Sequence, residues 1–143
     1  MVNDDEVVLG AVRRLISFGR VSAPAFLSGT LEAALDRRDE AAFDSEWVRI
    51  DRLVEAKNPG GDLKAKLDKL REFAFRTIYE AYEDSDLAAC VSDDLELIAL
   101  ALIAGVEDGW LRAVLASYQN GKFPCGAIQP VAGRLSDVLH TST

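Results

Sequence analysis

The chain has 143 residues, the length of one domain able to bury a sizeable core. Hydrophobic residues make up 49% and charged residues 28%, which excludes wholesale disorder. A net charge of -8 argues against nucleic acid or an anionic membrane as a direct partner, since both repel an acidic protein.

The opening stretch, MVNDDEVVLGAVRRL, has no positive segment followed by an apolar one, so no signal peptide is expected. The longest apolar run, Leu97 to Val106, is about half of a membrane span, so no transmembrane helix is expected. Cys90 and Cys125 are the only cysteines; a pair without a secretion signal reads as two reduced, packed thiols. These readings together predict a single helical domain over residues 1–143 and a cytoplasmic location.

Apolar spacing is helical almost throughout, with no sustained two-residue alternation. A first helix is predicted from about Asn3 to Phe18, with Val8, Val12, Leu15 and Ile16 on one stripe. Asn3 and Glu6 read as a capping box and Gly19 as a stop. Ser22 then reads as the cap of a second helix with Pro24 in its first turn and Phe26, Leu27, Leu31, Ala34 and Leu35 inward. A third helix, about Glu40 to Ala56, would bury Phe43, Trp47, Ile50 and Val54. KNPGGD, from Lys57 to Asp62, breaks the chain, and Asp62 reads as the cap of a helix from about Leu63 to Tyr82 with Leu67, Leu70, Ala74, Ile78 and Tyr82 inward.

Two further breaks are read at EDSD and at VSDD, each rich in capping residues. Ser92, Asp93 and Asp94 would then open a helix over about 95–104 that is apolar on nearly every face, the mark of a bundle centre. GVEDG turns the chain into a helix lined by Trp110, Leu111, Val114, Leu115 and Tyr118, ending at Asn120–Gly121. A last short helix is predicted from about Pro130 to Leu139. The expected fold is an all-α bundle of seven or eight short helices around the central apolar one.

Motifs for chemistry are sparse. His140 is the only histidine and lies three residues from the end of the sequence, whereas a catalytic or ligand histidine is normally locked by a second partner. The cysteines are 35 residues apart and carry no zinc-ligand spacing. NPGGDLK lacks both the spacing and the Lys-Ser/Thr of a phosphate loop. Asp84 and Asp86 begin like a calcium loop, but its glycine and closing glutamate are missing. Paired acids could act as acid and base in glycoside hydrolysis, although a small helical bundle seldom offers the deep cleft that this needs. No cofactor, no metal and no catalytic residue is expected.

One stretch stands apart. Tyr79 to Trp110 contains nine acids (Glu80, Glu83, Asp84, Asp86, Asp93, Asp94, Glu96, Glu107 and Asp108) and no lysine or arginine. The rest of the chain carries 15 acids and 16 bases, so all of the net negative charge is local to this stretch. Capping explains many of these acids singly, because a negative charge at a helix start interacts favourably with the dipole by about 0.3–1 kcal/mol. It does not explain 32 residues without a base. If the acids sit at the ends of successive helices, those around 83–94 gather near one end of the bundle. Glu80, Tyr82, Glu83, Asp84, Asp86, Asp93, Asp94, Glu107, Asp108 and Trp110 are therefore the candidate contacts for a basic protein partner, with Tyr79, Tyr82 and Trp110 as aromatic anchors.

The run SDDLELIALALIAGVEDGWLRAVLASYQNGKFPCG, Ser92 to Gly126, resembles bacterial immunity proteins of contact-dependent inhibition and related polymorphic toxin systems. It shares their acidic Ser-Asp-Asp helix start, apolar helix, acidic turn with Trp110, and SYQNGKFPC. The resemblance implies a small cytoplasmic protein that binds and neutralises a toxin domain, frequently a basic nuclease, by stoichiometric blockade, with no enzymatic activity of its own. Met1 to Tyr79 shows nothing family-specific. The alternative is a helical adaptor or regulatory subunit that binds a basic protein with no toxin involved.

Overall fold

A computed structural model describes residues 4–57 and 61–140. Among them are seven α-helices and no strand: α1 (Asp4–Arg13), α2 (Phe18–Val21), α3 (Leu31–Arg38), α4 (Ala41–Lys57), α5 (Lys64–Tyr82), α6 (Ser85–Ala104) and α7 (Gly109–Gln119). Two 3-10 turns, Gly61–Leu63 and Leu135–His140, complete the regular structure. The all-α bundle expected from the apolar spacing is the fold observed.

The hairpin of α5 and α6 is its spine, and α1, α3 and α4 pack against α6 while α2 packs against α5. Along α6, Leu87, Ala88, Val91, Leu95, Leu97, Ile98, Ala99 and Ala101 are all buried. Each leucine or isoleucine so enclosed contributes about 1.5–3 kcal/mol relative to exposure. Leu67, Leu70, Ala74 and Ile78 supply the facing stripe of α5, at the three- and four-residue spacing that sets one side of a helix. The Asp84 carboxylate caps α6 by accepting from the Leu87 N–H at 2.8 Å, next to Glu83 in the left-handed region at φ 52°.

Five boundaries differ from the sequence reading, each for a local reason. α1 stops at Arg13, and Ser17 caps the single turn of α2 by accepting from the Arg20 N–H. The helix expected from Ser22 starts instead at Leu31, where Thr30 Oγ1 accepts from the Ala33 N–H at 3.1 Å. Gly29, with φ +96°, holds the preceding chain out of helical geometry. Asp62 does not cap α5: it sits in a 3-10 turn, and Leu63 occupies the cap position without a side-chain bond. The expected break at VSDD is absent, because α6 runs unbroken from Ser85 to Ala104. Ser92 Oγ donates instead to the Arg71 carbonyl oxygen of α5, and Asp94 takes partners from three other segments. Finally, the last helix is only the 3-10 turn Leu135–His140, and Val131 is exposed. The predicted cap at Asn3 and the break over residues 58–60 lie outside the described residues.

Candidate functional site

The continuity of α6 redistributes the acids of the 79–110 stretch. Asp84 and Asp86 stand at its N-terminus, while Asp93 and Asp94 lie in its middle, about 12 Å further along at 1.5 Å per residue. The acids of 83–94 therefore do not collect at one end of the bundle.

Asp94 is buried, with only 1% of its surface exposed. Arg38 grips it through both oxygens at 2.6 and 2.8 Å, Trp47 Nε1 donates to it at 3.0 Å, and the Tyr118 hydroxyl donates at 2.6 Å. The Arg38 guanidinium also reaches the Pro124 carbonyl oxygen and lies over the rings of Phe43 and Phe123. Burial disfavours the charge on Arg38, yet Asp94 more than offsets this and holds its pKa above the usual arginine value. Burial and the Asp94 carboxylate push the Tyr118 phenol well up, so its hydroxyl stays protonated and available as a donor. One carboxylate thus ties α3, α4, α6 and α7 together, with both oxygens bonded as burial of a charge requires, and Arg38 adds the segment after α7 through the Pro124 carbonyl.

Most of the other acids also have structural partners. Asp108 caps α7, accepting from the Trp110 and Leu111 N–H groups, and pairs with Arg49 of α4 at 2.9 Å. Burial opposes its charge, but the bonds from Arg49, Leu111 and Trp110 hold its acid below the usual carboxylate range. Glu107 accepts from the Leu135 N–H. Arg71 of α5 pairs with Asp93 at 2.8 Å and Glu96 at 3.0 Å. The bases missing from the acidic stretch are therefore supplied from elsewhere in the chain, by Arg38, Arg49 and Arg71. Glu80, Glu83 and Asp86 are exposed, and their side chains have no hydrogen bond or ion pair among the described residues. Glu80 sits beside Arg13, Lys69 and Arg76 in a surface depression.

The aromatic candidates separate in the same way. Trp110 is 2% exposed and meets Phe43 edge-on, so it belongs to the core, where it presents no surface to a partner. Tyr82 is half-buried and donates its hydroxyl to the Val21 carbonyl oxygen. Tyr79 is exposed and stacks on Phe75.

What the structure adds is a neighbour. Asp86, Asp93 and Glu96, at seven- and three-residue intervals, share the outer face of α6. Asp51 of α4 lies close enough that burial, followed by the carboxylates of Glu55, Glu96 and Asp93, raises its acid above the usual range. Trp47, Asp51, Arg71, Asp93, Glu96, Leu97 and Leu100 line one shallow cleft between α4 and α6. Asp51 and Glu55 were not among the residues selected from the sequence. No pattern within α4 marks them, because their significance arises only when α4 packs on α6.

Nothing in this arrangement forms a metal centre: the described residues contain no group of three or more His, Cys, Asp or Glu suited to hold an ion. Burial raises the Cys90 thiol to about 11, with a smaller rise for Cys125, which keeps both protonated at neutral pH. No helix among the described residues is long and apolar enough to cross a membrane.

The fold and this surface define a small all-α bundle whose charged chemistry is divided between a buried ion pair and an acidic outer face. The chain belongs to a family of immunity proteins: the family model described as Immunity protein PIM1 matches residues 14–125. The match takes in most of the first half, where the sequence reading found nothing family-specific. No curated protein matches the chain. Its role is accordingly that of an immunity protein, acting on a cognate toxin protein.

Proposed function

We propose that the protein neutralises its toxin by stoichiometric blockade, presenting the acidic face of α4 and α6 to a basic surface on the toxin domain. The observation that carries this reading is the charge on that face. Asp51, Glu55, Asp93 and Glu96 stand around the single guanidinium of Arg71, with Asp86 further along the same face of α6, and burial first, then repulsion from Glu55, Glu96 and Asp93, raises the acid of Asp51. An incoming lysine or arginine relieves that repulsion, so the cost stored in the free protein becomes a gain on binding. The apolar floor of the cleft, with Trp47, Leu97 and Leu100, offers packing for the aliphatic stem of such a side chain.

A basic surface of this kind is what a nuclease uses to hold phosphates, so a nuclease toxin of a contact-dependent inhibition or related polymorphic system fits the face best. The inhibitor acts by occupancy and carries out no chemistry. Glu83, Asp86 and exposed Tyr79 extend the candidate contact area around the α5–α6 hairpin. Asp94 and Trp110 serve it only indirectly, by fixing the helices that carry the face.

The test is protection and binding with the cognate toxin domain. Wild-type protein is expected to form a one-to-one complex and to abolish killing. Asp51→Lys combined with Asp86→Lys should remain folded and slow association at least tenfold. Unchanged association in that variant would remove the acidic face from the account.

A further inference from the structure

The charge of this molecule has an opposite pole. A cavity of about 330 Å3 lies between α1, α2, α7 and the 3-10 turn Leu135–His140, lined by Ala11, Arg14, Leu15, Arg20, Arg112, Gln119 and Val138. Three arginines converge on it in a chain whose net charge is -8. No carboxylate lines the cavity, and none of its arginines is in an ion pair among the described residues. At its rim, a side chain placed at Gly133 would come within 4 Å of both Arg112 Nε and Asp137 Oδ2.

The arginines are also underused as donors. Arg20 donates to the carbonyl oxygens of Leu15 at 3.3 Å and Tyr118 at 3.5 Å, both long bonds. Arg112 donates to Gln119 Oε1 at 3.3 Å, and its Nε is buried without any acceptor. The Arg14 side chain makes no hydrogen bond among the described residues and is exposed at the cavity mouth. A buried N–H without an acceptor costs on the order of 1–3 kcal/mol, and three guanidiniums around one space repel each other. Both penalties fall when an oxyanion enters, because the guanidinium fork matches phosphate and carboxylate oxygens.

The geometry points to a binding site for a small phosphate monoester with an apolar body. A carboxylate has only two oxygens to share among three guanidiniums, whereas a phosphate has three free ones and a charge near -2. Ala11, Leu15 and Val138 form the apolar wall for the rest of the molecule, and the volume is that of a small-ligand pocket. The bound group would join α1, α2, α7 and the C-terminal turn, four segments that meet here. The site is independent of the acidic face and of the toxin.

Isothermal titration and thermal unfolding with phenyl phosphate, benzoate and phenol, at one ionic strength set with sodium chloride, test it. Phenyl phosphate should bind with a dissociation constant below about 1 mM and raise Tm, benzoate should bind at least fivefold more weakly, and phenol should have no effect. Arg112→Gln and Arg14→Gln should each weaken phenyl phosphate at least tenfold, while Arg52→Gln, on α4 away from the cavity, should leave it unchanged. Arg14→Gln removes no internal hydrogen bond, so it decides the matter even if Arg112→Gln fails to fold. Equal binding of phenyl phosphate and phenol, benzoate binding as tightly as the phosphate, or full affinity in Arg14→Gln would each overturn the assignment.

Discussion

Asp93 and Asp94 are neighbours in sequence and opposites in structure. Asp94 points into the bundle, where three donor side chains saturate it, and Asp93 points outward to share Arg71 with Glu96 on a face that keeps an excess of negative charge. A helix rotates about 100° per residue, so adjacent identical side chains necessarily report on different surroundings. The pair teaches that the acidity of this protein comprises two populations. One is consumed internally to position helices, and the other is left facing solvent.

The largest break in that comparison should come from Asp94→Ala. It leaves Arg38 buried without its counter-charge, and loss of one partner from a buried pair costs about 3–5 kcal/mol. Urea unfolding should show that loss as a lowered midpoint, or the variant should fail to accumulate as folded protein. Tyr118→Phe should cost less, about 1.5–3 kcal/mol, because it removes one hydrogen bond to a charged group and leaves the salt bridge. Asp93→Ala, one residue from the largest effect, should change stability by only about 0–1 kcal/mol, since the Asp93 and Arg71 side chains are both partly open to solvent. A loss at Asp93 as large as that at Asp94 would erase the distinction between the two populations.

Asp51→Asn should have the smallest effect, of opposite sign. The folded protein raises this acid above its unfolded value. The ionised form therefore destabilises the fold above the folded pKa, and the penalty disappears below the unfolded value of about 3.9. The asparagine variant should be equal to or slightly more stable than wild type at pH 7, and should lose that advantage as the pH falls to 4. Greater stability with weaker toxin binding is the signature of a residue kept for its partner.

Helix existence and the central helix were legible from the spacing of Leu67, Leu70, Ala74 and Ile78 and from the apolar run after Asp94, because burial leaves a periodic trace. The turn at Glu83–Asp84 and the cap at Asp108 were legible for the same local reason. The break placed at Ser92–Asp94 failed because a short polar side chain caps a helix only when nothing better is in reach. Here Arg38, Trp47, Tyr118 and the Arg71 carbonyl are in reach, from positions 21 to 56 residues distant. The absence of bases from residues 79–110 was real, but much of its meaning was internal. Arg38, Arg49 and Arg71 answer it across the fold, which no reading of one segment could reveal. Asp51 and Glu55 escaped notice for the same reason.

The most direct test of the division is the association rate of the Asp51→Lys, Asp86→Lys double variant with the toxin domain, followed by stopped flow from low to physiological salt. Neither side chain is hydrogen-bonded within the bundle among the described residues, so the fold should persist. The account predicts a rate at least tenfold below wild type at low salt, with a shallower dependence on ionic strength. A rate and salt slope equal to those of wild type would contradict it and move the toxin contact off this face.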